Sequence, residues 1–245
     1  MNKVAIVQAR VGSTRLPGKI FADLVGKPFV WHVIDRLKAA KEIDEIIFAI
    51  PDDPRDDELQ SYIEKIGLKC FRGNLGDVLK RFYQTAKEYK ADIIIRITAD
   101  DPFKDPDVID KTVRLLTENN LDFAYNNNPP TFPEGLDVEV FTFDALKKAN
   151  EEATSTFDGE HVTQYMHRNP QKFKQANLSN DKDLSYLRWT VDEQADLDMT
   201  REIYDALYKE GQIFKTKEIL DLLNDHPNIA NINKIVNRST MYKKN

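Results

Sequence analysis

Val4-Ala5-Ile6-Val7-Gln8-Ala9-Arg10-Val11-Gly12-Ser13-Thr14-Arg15-Leu16-Pro17-Gly18-Lys19 decides how the rest of this chain is read. The apolar run Val4–Val7 fits a short buried strand. A loop with two glycines follows and carries Arg10, Arg15 and Lys19. Helix signals open at Pro28. A glycine loop leaving a strand can turn backbone N–H groups toward an anion, and cations fixed beside it hold the charge. The pattern predicts a polyphosphate ligand and therefore an enzyme; a basic surface loop is the plainer alternative. It is not a P-loop, which needs four residues between its glycines and Ser or Thr after the Lys. Here five residues separate Gly12 from Gly18, and Ile20 follows Lys19. The G-x-G-x-x-G dinucleotide fingerprint is also absent, since Gly12 has no glycine two residues on.

Working outward, strand-like runs at 4–8, 45–50, 69–71, 92–98 and 122–126 alternate with helical patterns. Val30, Val33, Ile34 and Leu37 keep the i, i+3, i+4, i+7 spacing of one apolar face, and 54–66 and 76–89 read as further helices. This alternation predicts an α/β fold with a mainly parallel sheet and helices on both faces. Ligands then sit beyond the carboxyl ends of the strands, where Arg10 and Asp100 fall. The second half is less regular. A turn-rich loop over 126–135 leads to a strand over 137–143 and helices near 144–153 and 158–168. Residues 173–178 and 185–191 look like paired strands, and helices near 195–208 and 216–223 close the fold. The polar stretch after Arg238 reads as loosely held.

At 245 residues, 41% hydrophobic and with 13 Phe, the chain can form one large α/β domain carrying an arm at about 126–191. A net charge of −6 argues against a generic nucleic-acid binder, so the cations of the first loop are a local concentration on an acidic background. The single Cys70 excludes an internal disulfide and suits a reducing cytoplasm; it reads as a buried structural thiol. Neither a signal peptide nor a membrane span is visible.

The strand over 92–98 ends in Ala99-Asp100-Asp101-Pro102. Carboxylates at a strand end beside a phosphate loop suggest Mg²⁺, which takes one or two protein carboxylates and fills the rest with water and substrate phosphate. Asp101 reads as a solvated turn residue, and Asp105 before Pro106 as a helix N-cap. His32, His167 and His226 carry no pattern, and no zinc-ligand spacing exists.

The run Ala9–Lys19 resembles the signature of the cytidylyltransferases, the group of CMP-KDO and CMP-sialic acid synthetases, and within it the branch named for spore coat polysaccharide biosynthesis. The resemblance continues, in the family's order, through 72–82, 96–106, 133–140, 160–165 and 189–197. It implies a Rossmann-like, GT-A-like nucleotidyltransferase sheet, a homodimer through the arm, Mg²⁺ as cofactor, and transfer of CMP from CTP to an acidic sugar of nonulosonic type. It assigns the metal to Asp100, with Ala99 in place of the family's glycine, and to Asp192; capping the following helix is a compatible role for Asp192. Asp196 reads as a first-turn charge favoured by the helix dipole. Arg15 and Lys19 would hold the β- and γ-phosphates, with Ala9, Arg10, Gly12, Ser13, Arg72 and Thr98 also at the nucleotide.

For the sugar, the resemblance implies Asp77, Glu134, Asp137, Glu139 and His161. A helix cap or salt bridge is an alternative for Asp77, and a structural role for His161. Asp137 and Glu139 share one face if their segment is a strand. Gly159 stands where the family has Arg. Other readings keep the fold: a nucleotidyltransferase using another triphosphate and a sugar phosphate, a glycosyltransferase binding a nucleotide sugar, or a non-enzymatic nucleotide-binding module. Asp100-Asp101-Pro102 lacks the D-x-D of the glycosyltransferases.

Overall fold

The computed structural model describes residues 1–238, so the stretch after Arg238 lies outside the described residues. Strand β1 is Lys3–Gln8. After the loop and a short 3₁₀ turn at Lys19–Phe21 comes a two-stranded hairpin, β2 (Asp23–Leu24) and β3 (Lys27–Pro28). Then follow α1 (Phe29–Lys38), β4 (Glu45–Pro51), α2 (Asp57–Lys65), β5 (Lys69–Gly73), α3 (Val78–Glu88), β6 (Ile93–Thr98) and α4 (Pro106–Glu118). The second half supplies β7 (Phe123–Tyr125), β8 (Glu139–Thr142), α5 (Phe143–Glu152), α6 (Thr156–His161), α7 (Gln164–Arg168) and β9 (Gln175–Asn177). Helices α8 (Gln194–Leu207), α9 (Thr216–Asp225) and α10 (Pro227–Asn231) complete it.

One seven-stranded sheet runs β5-β4-β1-β6-β8-β7-β9. Strands β5, β4, β1 and β6 are parallel, as the alternating pattern predicts, and β8 is antiparallel to both β6 and β7. Residues 126–191 contribute β8 and β9 to this same sheet. Val4, Ala5, Ile6 and Val7 are all 0% exposed, because helices cover both faces of a parallel sheet and leave a central strand no solvent side. Asp105 caps α4 through Asp107 N, with Pro106 as its first residue.

Three expectations need correction. Residues 185–191 do not pair as a strand with 173–178. Residues 175–177 form β9, parallel to β7, and 185–191 run as an extended strap with an isolated bridge from Arg188 to Glu134. Along the strap, Trp189 and Val191 enter the core while Arg188 turns to buried carboxylates. The helix over 158–168 is two helices, broken at Val162, whose φ is +58°. Asp101 is buried rather than solvated, accepting from Thr98 Oγ1 and pairing with the fully buried Lys104 at 2.8 Å.

Candidate active site

Parallel pairing of β1 with β6, Gln8 opposite Thr98, places the loop after β1 and the turn after β6 at one end of the sheet. A cleft of about 460 Å³ opens there. Its wall includes Ala9, Arg10, Ser13, Arg15, Lys19, Thr98, Asp100, His161 and Asp192, which the sequence singles out from widely separated segments. The volume lies in the range of small-molecule sites.

Lys19 is the hub. Its Nζ donates to the Val191 carbonyl at 2.6 Å and lies 3.3 Å from Asp192 Oδ1 and 3.6 Å from Asp100 Oδ2. Arg15 pairs with the same Asp192 Oδ1 at 2.9 Å. The strap brings Asp192 into place: Val191 N donates to the Asp100 carbonyl at 2.9 Å, joining the two carboxylate-bearing segments. Gly135 makes this approach possible. Its φ is +107°, and a Cβ there would lie 2.6 Å from Thr190 N.

The two carboxylates sit in different fields. Burial raises the Asp100 carboxyl, with the charges of Asp101 and Asp192 adding to it against Lys19. Burial also pushes on Asp192, but Lys19, Arg15 and Arg188 outweigh it and hold its carboxyl below the usual range. Asp100 and Asp192 thus offer two hard oxygen donors to one point. Among the described residues no cluster of three or more His, Cys, Asp or Glu side chains could hold a metal. One or two carboxylates, completed by water and phosphate, is the donor set magnesium uses, so these residues fit it. Glu193, rather than Asp192, is the N-cap of α8; Asp196 completes a capping box and is fully buried against Arg188.

Several other residues named from the sequence lie away from the cleft wall. Arg72 is held by Asp57 at 2.5 Å, Gln60 and the Asp53 carbonyl. Asp77 caps α3 through Lys80 N and lines a smaller neighbouring hollow. Glu134 pairs with Arg188 at 2.9 Å, and Arg188 in turn reaches Asp192 at 3.1 Å and Asp196 at 2.9 Å. Asp137 precedes β8; its Oδ2 accepts from Gly135 N, and its carbonyl accepts from Lys104. Glu139 is buried under the floor, bound to Arg96, Thr163 and His167. Burial alone would raise its carboxyl, but Arg96 and these hydrogen bonds carry it far below the carboxylate range. Gly12 faces the Arg55 side chain.

The structure adds residues that sequence reasoning passed over. Gln8, Arg81, Arg96 and Glu160 line the cleft, and Asp56 Oδ1 accepts from Val11 N at 2.6 Å, anchoring the start of the loop. Arg96 stands inside an otherwise hydrophobic strand pattern, a signal that could have marked it.

Residues 4–238 match the cytidylyltransferase family. The chain belongs to that family. It is similar to an uncharacterized protein of Methanocaldococcus jannaschii, at 36% identity over 98% of both chains. It is 29% identical to the spore coat polysaccharide biosynthesis protein SpsF of Bacillus subtilis, covering 94% of this chain and 98% of that one. A solved cytidylyltransferase from Leptospira borgpetersenii superposes with a TM-score of 0.88 at 29% identity, over 94% of this chain and 97% of that one. This cytidylyltransferase is therefore a nucleotidyltransferase with the sheet the sequence predicts, and among its described residues no helix is long and apolar enough to cross a membrane.

Proposed function

We propose that this enzyme transfers CMP from CTP to an acidic sugar, releasing pyrophosphate, in the synthesis of a surface polysaccharide. One observation carries the reading: Lys19 faces Asp100 and Asp192 together at the carboxyl ends of β1 and β6, with Arg15 on the same Asp192. The likeness to a spore coat polysaccharide protein supports the sugar. The cations Arg10 and Arg96, which line the cleft as His161 does, support an acidic one.

The chemistry asks for charge management. A sugar oxygen attacks the α-phosphorus, and negative charge grows on the equatorial oxygens and on departing pyrophosphate. In this reading Lys19 and Arg15 exchange their carboxylate partners for phosphate oxygens. Ala9, Ser13, Thr98 and the Gly12 backbone shape the site around the nucleotide, and His161 faces the acceptor. Asp100 and Asp192 would hold magnesium, which when bound supplies further positive charge to the phosphates. Glu134 acts through Arg188 on Asp192 rather than on the sugar. A homodimer through 126–191 and a cytoplasmic setting complete the proposal.

Pyrophosphate release tests it, with CTP, UTP, ATP and GTP against sugar acids, neutral sugars and sugar phosphates in magnesium. CTP with a sugar acid should give the fastest release. ATP or GTP working as well as CTP would overturn the cytidylyl assignment. Binding of a nucleotide sugar with no binding of any triphosphate would favour the glycosyltransferase reading.

A further inference from the structure

The two oxygens of Asp192 have different partners. Oδ1 meets the cations of the first loop, 2.9 Å from Arg15 and 3.3 Å from Lys19. Oδ2 accepts from Arg188 Nη2 at 3.1 Å. Arg188 does not line the cleft, and its side chain is only 5% exposed. It is held at all three nitrogens. Nε and Nη2 fork onto the two oxygens of Asp196, both at 2.9 Å, and Nη1 donates to Glu134 at 2.9 Å. Asp196 is fully buried and fixed in turn, accepting from the backbone N–H groups of Asp192 and Glu193 and from Asn233 Nδ2. Asn233 also donates to the Arg188 carbonyl at 3.0 Å. A planar guanidinium clamped in this way can aim Nη2 in one direction only, at Asp192 Oδ2.

Asp192 does not need Arg188 for its charge, since two cations already face Oδ1. What Arg188 adds is a hold on one oxygen. That matters for which ion the carboxylate can take. Magnesium demands a nearly ideal octahedron at about 2.0–2.1 Å, and the two oxygens of one carboxylate lie too close together to fill neighbouring corners of it. Calcium takes about six to eight oxygens at about 2.3–2.6 Å in looser geometry and accepts both oxygens of one carboxylate. A carboxylate whose Oδ2 is tied to Arg188 presents Oδ1 alone. One that is free to turn can present both. Partners that orient a metal's ligands in this way typically change metal affinity by about 10- to 100-fold when lost.

We infer that Arg188 is a positioning residue for ion choice: by holding Asp192 Oδ2 it leaves Oδ1 as the single oxygen that Asp192 offers, and so favours magnesium over calcium in the nucleotide complex. Glu134, Asp196 and Asn233 keep Arg188 in that position from outside the cleft. This inference rests on the reading of Asp100 and Asp192 as magnesium ligands above.

The test is calorimetric titration of CTP with no acceptor present, in saturating Mg²⁺ or saturating Ca²⁺, for wild type, Arg188→Gln and Arg188→Lys, with melting temperatures alongside. The ratio of CTP affinity in Mg²⁺ to that in Ca²⁺ is the readout, because a purely structural role would lower Tm and leave the ratio alone. The ratio should fall by about 10- to 100-fold in Arg188→Gln. Lysine should restore Tm more than the ratio, since an ammonium neutralises the buried carboxylates but cannot fork onto Asp196 and reach Asp192 Oδ2 together. If Arg188→Gln does not fold, Arg188→Lys carries the test. A wild-type ratio in Arg188→Lys, or in a folded Arg188→Gln, would overturn the inference. The wild type gives a check independent of variant folding: CTP bound as tightly in Ca²⁺ as in Mg²⁺ would also overturn it. Asp192→Asn separates the two readings. A wild-type ratio in Asp192→Asn would remove Asp192 from the metal and sink the magnesium reading itself, whereas a changed ratio there beside an unchanged one in the Arg188 variants would sink only the role of Arg188.

Discussion

Lys19→Ala perturbs the centre of the site. The Lys19 side chain is 12% exposed, so its charge is poorly screened by solvent. At 3.3 and 3.6 Å from two carboxylate oxygens, each attraction amounts to roughly 4–5 kcal/mol at an effective dielectric of about 20, before desolvation is subtracted. After that cost, and with the hydrogen bond to the Val191 carbonyl also lost, the net loss of stability is about 1–3 kcal/mol. For a chain of this size that is a fall of roughly 2–12 °C in Tm. Asp192 keeps Arg15 and Arg188, so the fold survives. Function should lose more. A preorganised cation aimed at developing phosphate charge contributes about 3–4 kcal/mol, so kcat/KM for CTP should drop by about 10²–10³. Binding of cytidine, which lacks phosphates, should change by less than about threefold. Calorimetric titration with CTP and cytidine, alongside steady-state pyrophosphate release, measures both. A loss in kcat/KM below tenfold, or cytidine weakening in step with CTP, would refute the reasoning.

Asp100→Asn should abolish turnover yet hold or raise Tm. The folded-state pKa of Asp100 lies above its ordinary value, so its ionised form is a cost to the fold at neutral pH and the fold gains stability as pH falls. Full activity, or a large drop in Tm, would contradict this in a combined melting and rate assay. Glu139→Gln should destabilise by about 3–5 kcal/mol at pH 7, because Arg96 and His167 lose a buried carboxylate. The depressed pKa of Glu139 means that wild-type stability is fully present above the ordinary carboxylate pKa and is lost as pH falls below it. Thermal melts at pH 7 and about pH 3 should therefore show the gap narrowing, and a gap independent of pH would exclude the charge as its source.

The half of the fold that builds the cleft was legible because its signals are local. An apolar run followed at once by Gly12, Arg15 and Lys19 marks β1 and its loop, and the spacing of Val30, Val33, Ile34 and Leu37 marks α1. Asp100 and Asp192 could be named from chain position and resemblance, and the structure brings both to Lys19. What failed depends on contacts between distant segments. Alternation over 185–191 is the same whether a strand meets a ladder or, as here, a strap meets core on one side and Glu134 and Asp196 on the other. Glu139 looks like a ligand for hydroxyl groups until β8 is set antiparallel beside β6, opposite Arg96. Asp101 appears solvated until Lys104 is seen to be buried against it. Arg81 carries no distinguishing pattern on α3, and only the structure shows it lining the cleft, with its Nη1 on the Asn74 carbonyl and its Nε unpartnered.

The most direct measurement follows the phosphorus. Enzyme, magnesium and a sugar acid are incubated with CTP labelled at the α-phosphorus, or in a parallel reaction at the γ-phosphorus, and the products are separated. The account predicts that the α-label appears in a sugar nucleotide, one equivalent per pyrophosphate released, and that the γ-label appears only in pyrophosphate. Label from the γ-position on the sugar would make the protein a kinase, and no label on any sugar under either condition would contradict nucleotidyl transfer altogether.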